Sequence, residues 1–165
     1  MIFVTVGTHE QQFNRLVQCV DSLKEKGIIT EDVMIQTGFS TYEPKFCAHS
    51  QWVPYEQMLE YVRKARIVVT HGGPSSFIMP LQVGKIPVVV PRKKEMDEHV
   101  NDHQLTFCLA VAQRQKNILV VEDIDTLGDV LTNYDALAAE MTGGMESNNA
   151  RFCAEFGRIV EELVK

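Results

Sequence analysis

Cysteine is sparse and unpaired: Cys19, Cys47, Cys108 and Cys153 form no C-x-x-C motif. Neither a zinc site nor a thioredoxin-like centre is therefore expected, and all four are expected as buried, reduced thiols. No apolar run approaches the roughly 20 residues that a membrane span needs. The first residues enter a strand-like run without a charged leader, so no signal peptide is expected and the chain is placed in the cytoplasm. Positive charge is also short, with 16 Lys and Arg against 22 Asp and Glu and a net charge of −6. That balance excludes the broad basic face of a nucleic-acid-binding protein. Arg92-Lys93-Lys94 is the compact basic patch that remains. A D-x-D spelling occurs at Asp123-Ile124-Asp125, but it follows a strand-like run and suits a helix cap better than a metal site.

What is present is ordinary for one globular domain over residues 1–165, with 45% hydrophobic residues. Strand-like runs occupy 1–6, 33–37, 45–50, 66–70, 86–90 and 118–121. Helical spacing occupies 13–26, 55–64, the stretch from 74 to about 84, 100–113, 124–134 and 146–164. Thr142-Gly143-Gly144 separates the last two helical stretches. The alternation predicts an α/β fold: a Rossmann-like, open, mostly parallel sheet with helices on both faces. In such sheets ligands bind beyond the carboxyl ends of the strands. The strand-to-helix turns are therefore the places to look for a site.

Thr70-His71-Gly72-Gly73-Pro74-Ser75-Ser76 is the turn with chemistry in it. Gly72 and Gly73 are expected to supply unusual backbone angles and close approach. Pro74 suits the first helical position. The N–H groups and hydroxyls of Ser75 and Ser76, with the helix dipole, predict an anion site. His71 adds a hydrogen bond, or a charge if protonated. The turn carries neither a dinucleotide fingerprint nor a P-loop lysine.

Trp52-Val53-Pro54, Leu59, Ile67 through Gly73, Ser76, Gly84-Lys85-Ile86-Pro87 and Pro91 stand in an order that resembles the UDP-sugar-binding signature of GT-B glycosyltransferases. Val4-Thr5-Val6-Gly7-Thr8 and Glu98-His99-Val100-Asn101-Asp102-His103-Gln104 resemble the glycosyltransferase family 28 C-terminal domain in its stand-alone form. That form includes the small subunit of two-part N-acetylglucosaminyltransferases of the dolichol pathway and of bacterial capsular and exopolysaccharide enzymes. The resemblance implies one half of a GT-B enzyme. It implies that Trp52 stacks on uracil and that His71 and Ser76 contact the diphosphate. It brings Asn101 and Gln104 near the sugar hydroxyls, with His99 and His103 as neighbours. Two positions depart from the signature: Met79 stands where a glutamate holds ribose, and Tyr55 where a glutamine follows the Trp-x-Pro.

Glycosyl transfer needs a stabilised leaving group and a base for the acceptor hydroxyl. His9, in Gly7-Thr8-His9-Glu10, is the candidate base, and Thr8 and Glu10 are expected in the same cleft. No metal or other cofactor is expected, the UDP-sugar being a substrate. The resemblance further implies a membrane-associated partner subunit that binds a lipid-linked saccharide acceptor and draws this chain to the inner face of the membrane. Phe152, Phe156, Ile159, Val160, Leu163 and Val164 form an apolar stripe that suits docking to that partner or packing on the chain's own domain. A non-catalytic enhancer of a partner enzyme is the alternative.

Overall fold

The computed structural model describes residues 1–141 and 149–163. The expected glycine break at Thr142-Gly143-Gly144 lies outside the described residues, as does Val164. The strands are β1 (Ile2–Thr5), β2 (Val33–Gln36), β3 (Ala48–Ser50), β4 (Ile67–His71), β5 (Val88–Val90) and β6 (Leu119–Val120). The helices are α1 (Asn14–Glu25), α2 (Tyr55–Lys64), α3 (Pro74–Gln82), α4 (His103–Gln115), α5 (Leu127–Thr132), α6 (Tyr134–Ala139) and α7 (Asn149–Leu163). All strand pairs are parallel, in the order β3-β2-β1-β4-β5-β6. Among the described residues no helix is long and apolar enough to cross a membrane.

The central strands are β-branched and buried on both faces, as parallel sheets require. Val4, Ile35, Val69 and Val88 face α1, whose Leu16, Val17 and Val20 are fully buried against them. On the other face Phe3 and Val68 pack on Val62 of α2, with Met58 and Met79 at the margin of the cluster. The strand order reverses between β1 and β4, which places a crevice at their carboxyl ends. There Thr5 stands in register with Gln36 on one side and Thr70 on the other.

Several expected boundaries move for visible reasons. The third strand starts at Ala48 rather than at residue 45, because the buried Asp21 carboxylate accepts the N–H groups of Lys45, Phe46 and Cys47 and the Tyr42 hydroxyl. The fourth strand extends through His71. Helix α4 begins at His103, so His99 and Asn101 lie in the loop before it. Arg92 is no part of a surface patch: it is fully buried. Cys153 is exposed, whereas Cys47 and Cys108 are buried and Cys19 is half-buried. Asp123 does cap: its side chain accepts the Asp125 N–H at the start of a 3-10 turn.

Candidate functional site

A cleft of about 800 Å³ lies at the carboxyl ends of β1, β2 and β4, large enough for a small-molecule ligand. Thr5, Gly7, Thr8, His9 and Glu10 line it from the β1–α1 side, and His71, Ser75, Ser76, Met79 and Gln104 from the other. Gln36, Tyr55 and Met58 also line it. The expected residues Thr8, His9, His71, Ser75, Ser76 and Gln104 are thus brought together.

His71 organises the turn rather than offering a charge. Its Nδ1 accepts the Gly73 N–H at 3.0 Å, and its Nε2 lies 2.8 Å from Ser76 Oγ. Burial, reinforced by the Arg92 guanidinium, pushes its pKa down to about 4, so the ring is neutral near pH 7. With Nδ1 accepting, the ring proton sits on Nε2 and is donated to Ser76 Oγ. The Ser76 hydroxyl hydrogen is then left for a ligand. Of the hydrogen bond or charge expected of His71, the buried, neutral ring supplies the hydrogen bond.

The glycines serve close approach. A Cβ on Gly73 would stand 2.2 Å from His71 Cε1, and one on Gly7 2.3 Å from its Nε2. A Cβ on Gly72 would meet Gln104 Cβ at 2.9 Å and Cys108 Sγ at 3.0 Å. Gly7 is left-handed, with φ +74°, but neither Gly72 nor Gly73 has positive φ, so the expected unusual angles are absent there. Their N–H groups are also engaged: Gly72 donates to Gln104 Oε1 and Gly73 to His71. Ser76 N–H donates to the Gly73 carbonyl. Pro74 takes the first helical position of α3. The Ser75 N–H has no protein partner among the described residues. It remains, with the two serine hydroxyls, as the donor set at the positive end of α3.

His9 sits on the opposite wall. Its Nε2 lies 2.9 Å from Gln11 Oε1, and Gln11 Nε2 in turn donates to the Asp97 carbonyl. An amide oxygen only accepts, so His9 carries its proton on Nε2 and leaves Nδ1 as the basic atom. The His99 ring stacks on His9 with centroids 4.6 Å apart, which places it at the rim.

Other expected contacts fall elsewhere. Trp52 does not line the cleft. It packs edge-on against Phe39 at 5.2 Å and is half-exposed. Tyr55, one helical turn from Met58, lines the cleft instead. Asn101 Oδ1 accepts the His103 N–H at the start of α4, and the His103 ring stacks on Phe107. Neither Asn101 nor His103 lines the cleft, because α4 starts late. Among the described residues no group of three or more His, Cys, Asp or Glu could hold a metal ion.

Beneath the cleft lies a residue that sequence reading misplaced. Arg92 donates to the carbonyls of Val6, Gln11, Gln12 and Glu98 and sits 4.7 Å above the Phe13 ring. The buried Glu98 carboxylate is held by Arg15 and by the Lys93 N–H. The signal was an arginine following a buried strand and Pro91, with a carboxylate six residues on.

A family model, the glycosyltransferase family 28 C-terminal domain, matches residues 1–149. The Homo sapiens protein UDP-N-acetylglucosamine transferase subunit ALG13 is 33% identical over 107 residues, covering 59% of this chain and 9% of that protein. The chain therefore spans under a tenth of that relative's length. The calicheamicin glycosyltransferase CalG4 superposes with a TM-score of 0.55 at 16% identity, over 84% of this chain and 34% of that one. The glycotransferase of kitacinnamycin gives 0.52 at 20% identity, again over 84% and 34%. At such identities the likeness is one of fold, shared here with GT-B glycosyltransferases.

Proposed function

This chain belongs to the glycosyltransferase family 28 C-terminal domain family, and on that premise we propose that it is the donor-binding subunit of a two-component glycosyltransferase. The donor is a UDP-sugar. A hexose or N-acetylhexosamine passes to a lipid-linked acceptor held by a membrane-associated partner, in surface polysaccharide synthesis. The chain works in the cytoplasm at the inner face of the membrane, where the partner holds it.

One observation carries this reading: the α3 N-terminus opens onto the cleft with an unengaged Ser75 N–H and a Ser76 hydroxyl freed by neutral His71. Those donors suit a diphosphate whose charge grows as the sugar–phosphate bond breaks. The helix end does this without a metal. In the transfer, the acceptor oxygen bonds to the anomeric carbon, UDP leaves with the bonding electron pair, and the acceptor proton goes to a base. His9, which lines the same cleft, is the base in this reading, through Nδ1. That the human relative is by name a transferase subunit supports a partner.

A second reading, a non-catalytic enhancer of the partner, is favoured by Met79, a thioether in the cleft wall where the family's signature has a carboxylate. Calorimetry with UDP separates the two. Saturable binding, lost or weakened about tenfold or more in Ser76→Ala, supports the donor site. No binding with or without a partner sinks it.

A further inference from the structure

Gln36 closes β2 at 1% exposure and lines the cleft. Its Oε1 accepts the Thr5 hydroxyl at 2.7 Å, and Thr5 Oγ1 accepts the Gly7 N–H at 3.2 Å. Thr5 has one hydroxyl hydrogen, and Oε1 takes it, so the carboxamide is oriented with Nε2 on its other side. That NH2 group has no hydrogen-bond partner among the described residues. The nitrogen is not sealed off but meets the cleft, where a ligand can take the hydrogen bonds that the protein leaves unmade.

The position says which part of a ligand it meets. β2 is separated from β4 by β1, so Gln36 stands about two strand spacings, roughly 10 Å, from the β4–α3 turn. The same cleft is also lined by Tyr55, Met58 and Met79, which are apolar or neutral, and by no lysine or arginine among the described residues. A phosphate is better served at the α3 N-terminus. What suits Gln36 is an uncharged oxygen acceptor carried about 10 Å from a diphosphate, which describes the nucleoside end of UDP.

We infer that Gln36 is a donor-binding residue whose Nε2 donates to an uncharged oxygen of the nucleoside, either a ribose hydroxyl or a uracil carbonyl. This rests on the nucleotide-sugar reading of the cleft. It also supplies a polar contact to the nucleoside, which the Met79 thioether does not.

Calorimetry with UDP and with inorganic pyrophosphate tests it. In Gln36→Leu the UDP dissociation constant rises about tenfold while pyrophosphate binding stays within about twofold. Gln36→Met, unbranched and of similar length, serves if the leucine variant does not fold. Unchanged UDP affinity overturns the inference, and so does an equal loss for both ligands, which would mean that Gln36 only shapes the Thr5–Gly7 turn. Wild-type protein that binds pyrophosphate but not UDP overturns the nucleotide reading itself. With 2′-deoxy-UDP, wild-type affinity as weak as the variant's affinity for UDP assigns the 2′-hydroxyl. Full affinity assigns another nucleoside oxygen.

Discussion

At His71 one imidazole takes the Gly73 N–H, donates to Ser76 and fits between two glycines, and the first of these depends on its staying neutral. The folded ring takes up a proton only near pH 4, against an ordinary value of 6.5, because burial disfavours its charged form. The unfolded chain therefore binds that proton first on acidification. Stability falls between about pH 6.5 and 4, by on the order of 3 kcal/mol, and is fully present above that window. Carboxylates act lower. Burial raises the Asp21 pKa, but its hydrogen bonds from Lys45, Phe46, Tyr42 and Cys47 together outweigh that and hold it below the ordinary range. Hydrogen bonding from Arg66 likewise lowers Glu31. Their contributions are present above the ordinary carboxylate range and are lost as pH falls through the lowered values. Melting temperature against pH should slope between 6.5 and 4 in the wild type, and in His71→Gln the slope should be lost in the upper part of that window, above about pH 5 where the carboxylates do not yet contribute. A flat wild-type profile would mean that the ring protonates freely in place. The sequence marks His71 as part of an anion turn, since glycines, proline and serines follow it. Its neutrality is illegible there, because the tautomer is set by the Gly73 N–H and by burial.

Among elements, Arg92 joins what the sheet alone leaves separate. Its guanidinium ties the end of β1, the loop before α1 and the loop before α4. Those two loops carry His9 and His99, so the stacked pair at the rim depends on it. A lysine keeps the charge but offers a single ammonium on a flexible stem, which cannot fork to the same carbonyls. Arg92→Lys should lower stability by on the order of 3 kcal/mol. Hydrogen exchange should quicken most in residues 7–13 and 93–98, with β4 little changed. Uniform quickening would mean that Arg92 supports the core as a whole rather than the loops. Pattern alone makes α2 legible to the residue at Tyr55–Lys64, because its apolar face repeats and Ala65 ends it in extended backbone. Pattern fails where a distant side chain takes backbone groups, as Asp21 does before β3 and Arg92 does beneath the cleft. Carbonyls and N–H groups occur at every residue, so nothing in the spelling shows which ones are taken.

For the whole molecule, the cleft opens at the sheet's switch point and is lined from this chain on the donor side. The solved GT-B structures it resembles are each about three times as long as the matched portion. Under the two-component reading, the acceptor side belongs to a partner, and a partner needs a surface. Helix α7 presents one: Phe152 and Phe156 are 61% and 55% exposed, with their rings stacked 5.8 Å apart, and Ile159, Val160 and Leu163 continue the stripe in solvent. The stripe therefore does not serve as core for the described part of this domain. Replacing Phe152 and Phe156 together by glutamate removes apolar surface that is already exposed. The melting temperature and UDP affinity should therefore hold, while co-purification with the membrane-associated subunit and transfer by the reconstituted pair should be lost. A lowered melting temperature would show instead that α7 folds back on its own sheet. Retained assembly with the partner would move the docking surface elsewhere.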